Sequence, residues 1–454
     1  MSARWAALPV LLVAVFVTTL DFYVANLAVP SIRADLNAGD AAVQLVIAGY
    51  GLAYAAGLIV AGRLGDLLGH RRVFAAGLAL FTLASAGCGL AAGPAMLITA
   101  RIGQGIAAAL LAPQVLALIG RLYQGDRERA RAFGWYGSAV GLAGLSGQVI
   151  GGLVVAANPM GLGWRACFLV NLPICLTALA LTRRLLPHAA GTRRDLDLAG
   201  AALVAAGLVA VVLPLAEGRE RGWPGWTWAC LAAAPLLLGA FVRRQRRLAV
   251  EGRAPLLDLA VFRERGFAWG LVAVGLLFGT SAGLSFVLAL YLQDGLGLTP
   301  LAAAAVCTAL NAGFFAASLR PGRFGAPVLV VGLVLVHQAL GSGPLLVGLA
   351  LLVTGAGMGL LMSPLLSSVL ASVRPERSAA AAGVLGTVQE AGGVLGGTVT
   401  GAVFFATLDG GWEAAARAGV TVLIVASLGV LGHAAARRSG TARAAERETR
   451  GSFT

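Results

Sequence analysis

The sequence predicts an all-α polytopic membrane protein with fourteen transmembrane helices, and three observations carry that reading. Of its 454 residues, 58% are hydrophobic and only 12% charged, against about 45–50% and about 25% in soluble domains. Apolar runs of about 20 residues, enough to cross a ~30 Å hydrocarbon core as a helix, recur from end to end. All 34 basic residues are Arg, and their distribution matches the alternation of those runs.

The spans fall near 7–29, 42–61, 73–92, 95–119, 133–156, 165–182, 196–215, 226–242, 266–291, 299–318, 326–341, 344–373, 378–407 and 418–436. With the N-terminus inside, 28 arginines lie in cytoplasmic segments, five lie on the opposite side and Arg101 lies within a span. Cytoplasmic loops of membrane proteins carry that excess, so both termini are expected in the cytoplasm of a cell whose cytoplasmic membrane holds the chain. The formal net charge of +14 is thus a topology signal. Spread over short loops without an aromatic-interleaved patch, it does not suggest a nucleic-acid partner.

The longest cytoplasmic connection, Arg243 to Arg265, separates two sets of six spans. The organisation read from it is an N-terminal six-helix bundle over 1–194, two inserted transmembrane helices over 195–242, a cytoplasmic linker over 243–265, a C-terminal six-helix bundle over 266–436 and a polar tail over 437–454 expected to be disordered. Trp223, Trp226 and Trp228 sit where an interfacial aromatic belt belongs. Cys88, Cys167, Cys175, Cys230 and Cys307 have no C-x-x-C pairing and read as small buried hydrophobes.

Ionisable groups in hydrocarbon are costly and mark function by default. Asp21, Arg101 and Glu390 are the three that stand out. At ~1.5 Å of rise per residue, Asp21 and Arg101 reach the same height and can pair, while Glu390 lies ~18 Å into its span, near the midplane. The pair reads either as a structural ion pair or as a proton-linked switch. Glu390 has no competing Arg in its own span and reads as a site for a proton or a cation, with a carboxyl hydrogen-bonded within the bundle as the alternative. Phe22, Asn26, Tyr50, Trp135, Phe286, Tyr291 and Gln389 are candidate substrate-lining residues. Gly137, Gly141, Gly147, Gly151 and Gly152, and later Gly392 and Gly396, recur at helical spacing, which lets backbones approach closely. The longer loops hold no acid–His cluster, no metal-ligand spacing and no phosphate-binding Gly loop. No metal, organic cofactor or enzymatic activity is therefore expected.

The stretch "GRLGDLLGHRR" resembles the signature between spans 2 and 3 of the major facilitator superfamily, through Gly62, Leu64, Gly65, Asp66, Gly69, Arg71 and Arg72, with Leu67 and His70 at positions that are usually basic. "LDFYVANLAVPSI" is similar to the span 1 motif of that superfamily's fourteen-span drug:proton antiporters, with Asp21, Asn26 and Pro30 in place. "RIGQGIAAA" is similar to their span 4 motif, with Arg101, Gln104 and Gly105. "GLSGQVIGG" resembles the span 5 antiporter motif, with Gly147, Gly151 and Gly152 but Gln148 where Pro is usual. "GWRACFLVNLP", "RAPLLDLAVFRERGF" and "AAGVLGTVQEAGGVLGG" look like the approach to span 6, the central cytoplasmic segment and span 13.

The resemblance implies a major facilitator fold of two six-helix bundles plus two central spans. It further implies efflux of small amphiphilic drugs or antibiotics in exchange for protons, driven by the proton gradient without a cofactor, by a monomer in the lipid bilayer. Asp66, with Gly62, Gly69, Arg71 and Arg72, would form a cytoplasmic gate against the start of span 13 near Ser378. The related stretch in the second half, "SLRPGRFGAP", keeps Arg320, Arg323 and Gly325 but has no acid. The alternatives are export of one metabolite or self-made antibiotic, or import of a nutrient. A membrane enzyme or a sensor fits poorly.

Overall fold

The computed structural model describes residues 3–157, 161–187, 197–218, 221–253, 255–319, 322, 324–374 and 378–451. Its helices are α1 (Ala3–Leu36), α2 (Asp40–Leu68), α3 (His70–Gly89), α4 (Pro94–Leu122), α5 (Asp126–Ala157), α6 (Ala166–Leu169), α7 (Asn171–Leu185), α8 (Leu198–Glu217), α9 (Gly225–Val250), α10 (Arg265–Leu290), α11 (Pro300–Ser318), α12 (Gly325–Ala339), α13 (Pro344–Ala371), α14 (Ser378–Ala406) and α15 (Trp412–Gly451). No strand occurs among the described residues. Among the described residues, ten segments are long and apolar enough to cross a membrane, α11 and α12 are shorter apolar helices, and the long helices α5 and α14 occupy the fifth and thirteenth expected spans. The short α6 and α7 together make the sixth.

Proline and glycine set the helix ends. Pro94, Pro300 and Pro344 open α4, α11 and α13, where a missing N–H costs nothing. Thr299 caps α11 through Ala302 N at 3.3 Å. Between α2 and α3 the connection is a single residue: Gly69 adopts φ +91°, a conformation that favours glycine. The polar signature around Asp66 is therefore mostly helical rather than a loop.

Two other boundaries differ from the sequence expectation. Helix α9 runs on to Val250, carrying the first arginines of the 243–265 linker out of the membrane on a continuous helix. Helix α15 continues to Gly451, so the tail expected to be disordered is helical up to that point. Its Ala-, Arg- and Glu-rich sequence has high intrinsic helix propensity.

Glycines let neighbouring backbones touch. A Cβ on Gly396 would lie 2.3 Å from the Gly279 Cα, and one on Gly392 would lie 2.5 Å from the Gly275 carbonyl oxygen, so α10 and α14 pack through two glycine pairs four residues apart. Gly105 on α4 leaves only 2.3 Å to the Tyr50 carbonyl of α2 for such a carbon, and Gly355 on α13 leaves 1.9 Å to the Leu310 carbonyl of α11. The N-terminal set α1–α7 and the C-terminal set α10–α15 meet through α2 with α14, α4 with α14, and α5 with α11 and α13. The inserted α8 packs on α2 and α14, and α9 lies against α8. Asp197 fastens this pair: it accepts from Gly200 N at 2.9 Å, Arg244 Nε at 2.7 Å and Gln245 Nε2 at 2.9 Å. Gln245 Oε1 in turn accepts from Leu257 N at 3.2 Å, tying α9 to the linker.

Candidate functional site

The deepest polar group of the N-terminal half is built around Asp21. Arg101 Nη1 forms an ion pair with Asp21 Oδ2, both side chains being essentially fully buried. Asp21 Oδ1 also accepts from Gln104 Nε2 at 3.0 Å and Asn171 Nδ2 at 2.9 Å. Gln104 Nε2 reaches Ser85 Oγ at 2.8 Å, and its Oε1 accepts from Arg101 Nη1 at 2.8 Å and from Cys88 Sγ at 3.3 Å. Arg101 Nε donates to the Val46 carbonyl at 3.1 Å, and its guanidinium lies 4.5 Å above the Tyr50 ring and 5.7 Å from that of Phe168. Five helices, α1 to α4 and α7, thus converge on one carboxylate.

A buried pair is held only if its remaining lone pairs and donors are satisfied, and here Asp21 has three donors and Arg101 three acceptors and two ring faces. The span 4 motif is explained by position: Arg101 and Gln104, one turn apart, both face α1, and Gly105 lets α4 approach α2 closely enough for them to reach it. Asn171, Ser85 and Phe168 escaped the sequence reading because they are uncharged, and a search for stranded charges passes over neutral groups. The signal was the polar Asn171 in front of Pro173 at the head of an apolar span.

Glu390 has different surroundings. It lies 12 residues, ~18 Å, from the start of α14, is half-buried, and has no ion pair among the described residues. Helix α14 packs on α2 of the other half, and Gly386, one turn before Glu390, lies against Leu58, one turn after Tyr54 and two after Tyr50. Tyr50 and Tyr54 stack at 6.2 Å, and Phe22 joins Tyr50 at 6.4 Å and Tyr23 at 5.7 Å. The acid of one half therefore lies near an aromatic cluster of the other. Next to it, Gln389 is buried with an amide nitrogen that has no hydrogen-bond partner among the described residues.

The remaining candidates scatter. Trp135 is 42% exposed. Phe286 packs with Phe404 and Phe405 at 6.4 and 6.1 Å. Tyr291 is buried inside the C-terminal bundle, its hydroxyl accepting from Gly341 N at 2.8 Å. Gly147 packs on the Tyr23 Cβ. The side chains of Asn26, Pro30, Gln148 and Ser378 and the surroundings of Gly151 and Gly152 lie outside the described residues.

The signature around Asp66 resolves into separate tasks. His70 Nδ1 donates to Gln114 Oε1 at 2.9 Å, and Gln114 Nε2 donates to the Ala61 carbonyl at 2.7 Å, which pins the α2–α3 turn to α4. A Cβ at Gly65 would lie 2.0 Å from Gln114 Oε1. Arg71 donates to the Arg183 and Leu186 carbonyls at 2.7 and 3.2 Å, satisfying the free C-terminal end of α7. Gly62 is buried, Arg72 is exposed, and Asp66 lies in the last turn of α2 with its side chain 6% exposed. At the far end of the bundle, Asp35 receives Arg165 Nη1 at 2.6 Å and Trp164 Nε1 at 3.1 Å, and these bonds hold its carboxyl below the usual range. This clasp accounts for the "GWR" of the span 6 approach.

Residues 11–397 match the Major Facilitator Superfamily. The chain belongs to that superfamily. This major facilitator is 39% identical over 90% of its length to a probable actinorhodin transporter of Streptomyces coelicolor, covering 73% of that protein. It is 37% identical over 94% of its length to the puromycin resistance protein of Streptomyces alboniger, covering 89% of it. It is 31% identical over 87% of its length to the multidrug resistance protein Stp of Mycobacterium tuberculosis, covering 74% of it. Among solved structures, a major facilitator proton:xylose symporter superposes with a TM-score of 0.65 at 15% identity, over 94% of this chain and 95% of that one. The human organic anion transporter MFSD10 gives 0.64 at 16% identity, over 95% and 99%.

Proposed function

We propose that this major facilitator is a bacterial cytoplasmic-membrane antiporter that expels small amphiphilic, antibiotic-like molecules in exchange for protons, with both termini in the cytoplasm. The relatives named for antibiotic transport and resistance support the cargo class. The observation that carries proton exchange is Glu390, a midplane carboxyl with no ion pair among the described residues, lying near aromatic side chains that suit an apolar ring system. Protonation removes a charge whose desolvation is costly, and deprotonation restores a partner for a cationic group. Asp21 takes the other role: with three donors on its carboxyl, it is the anchor of the N-terminal half.

The outward-facing stage of alternating access requires the halves to meet on their cytoplasmic side. Their named close approaches, Leu58 with Gly383 and Gly386, Ser138 with Ser318, and Ser363 with Ala130, lie between the midplane and the arginine-rich face that we assign to the cytoplasm. In inverted vesicles, an imposed pH gradient should drive accumulation of puromycin and of ethidium by the native chain but not by Glu390→Gln. Accumulation that persists when the gradient is collapsed would refute proton exchange.

A further inference from the structure

The two seams between the halves carry different groups on the arginine-rich face. On one side α2, which carries Asp66 in its last turn, packs on α14. On the other side α5 meets α11 and α13, and the corresponding stretch of the second half has no acid to contribute. Among the described residues, two neutral hydrogen bonds cross that second seam. Ser138 Oγ on α5 lies 2.8 Å from Ser318 Oγ, the last residue of α11, with both side chains buried. Ser363 Oγ on α13 donates to the Ala130 carbonyl in the first turns of α5 at 2.9 Å.

The α5 surface around Ser138 is smooth. A Cβ on Gly137 would lie 3.2 Å from the Ser318 Cβ, one on Gly141 would lie 2.7 Å from Phe314 Cδ1 and 3.1 Å from Phe315 N, and one on Gly144 would lie 3.0 Å from Asn311 Oδ1. A side chain at Gly141 would press on Phe314 and the α11 backbone, and one at Gly137 or Gly144 would need its neighbour to give by a few tenths of an ångström.

We propose that Ser138 and Ser318 form a releasable gate at this seam, doing with a neutral hydrogen bond what the second half's missing acid would otherwise do. The reading rests on the alternating access proposed above. The decisive feature is that each hydroxyl has a second acceptor on its own helix: Ser138 Oγ lies 2.9 Å from the Gly134 carbonyl, and Ser318 Oγ lies 2.9 Å from the Phe315 carbonyl. A hydroxyl carries one proton. While the seam is shut, one serine donates across it and the other donates back to its own helix. When the halves part, both donate back, and neither leaves a buried donor unpaired, which is the costly outcome for a polar contact. The bond closes the seam without trapping it shut.

The experiment reads access to the seam. In a variant with the five native cysteines replaced by alanine, Asn311→Cys, two turns above Ser318, is labelled with a membrane-impermeant maleimide added at the arginine-rich face of inverted vesicles. Ser138→Ala should raise the labelling rate ~fivefold, the weight of one neutral hydrogen bond, and Ser138→Thr, which keeps the hydroxyl, should restore the slow rate. Equal rates in the parent and Ser138→Ala would overturn the proposal. In the otherwise native chain, Ser138→Cys with Ser318→Cys should form a disulfide under mild oxidation, read by mass spectrometry, and no crosslink would likewise overturn it. Neither readout depends on which ion drives transport, so failure here is distinct from failure of Glu390 as the proton site.

Discussion

The surroundings of Asp21 and of Glu390 are opposites built from the same functional group. Asp21 receives Arg101, Gln104 and Asn171 and draws five helices together. Glu390 has no ion pair among the described residues, in a helix whose neighbouring glycines, Gly392 and Gly396, touch α10 backbone to backbone. A carboxylate with a full set of donors is a fixture, because losing its charge would strand the arginine. A carboxyl near an aromatic cluster can change its charge without dismantling the fold. On the function proposed above, intramembrane charge alone does not single out the proton carrier, and the number of donors around each carboxyl assigns Asp21 as anchor and Glu390 as carrier.

The largest effect that would break this comparison concerns the anchor. Arg101→Ala leaves Asp21 buried without its counter-ion and should cost about 3–5 kcal/mol, seen as loss of folded, detergent-stable protein. Asp21→Asn should also lower Tm. If it left Tm unchanged and abolished only the pH response, Asp21 rather than Glu390 would be the titrating group.

The next prediction tests the carrier: Glu390→Gln should melt like the native chain, within about 0.5 kcal/mol, while pH-driven uptake falls at least ~tenfold. A matching loss of stability would make Glu390 a structural residue. Asn171→Ala should cost about 1–3 kcal/mol by removing one donor from a buried carboxylate. It should leave the pH profile of transport in place, because the ion pair survives, and a displaced profile would give Asn171 a part in coupling.

The smallest effect lies outside the membrane. Burial raises the Asp197 carboxyl, but bonds from Gly200, Gln245 and Arg244 outweigh it and hold it below the usual range. A lowered folded-state pKa stabilises above the unfolded value near pH 4 and loses that contribution as pH falls through the folded value. Asp197→Ala, which removes the cap of α8, should thus cost about 1 kcal/mol at neutral pH. In thermal melts the gap to the native chain should narrow below about pH 4.

Much of this molecule was legible before any coordinates. Hydropathy and arginine asymmetry located the spans because a bilayer imposes a length and a charge rule on each segment by itself. Asp21, Arg101 and Glu390 stood out for the same reason: a charge in hydrocarbon is conspicuous in one dimension. The helical extensions of α9 and α15 were not legible, because a polar Arg-rich run at a helix end reads equally as loop or as helix.

The sequence by itself determined the all-helical membrane class and which few residues had to be explained. Only the tertiary structure decided that Asp21 is enclosed by three donors from α4 and α7, that Glu390 lies near tyrosines of the opposite half, and that Ser138 meets Ser318 across 180 residues of chain. The physical reason is that burial in lipid acts on each helix alone, whereas pairing depends on how helices rotate against one another. That rotation is set by the close packing of many glycines and small side chains that no single segment specifies.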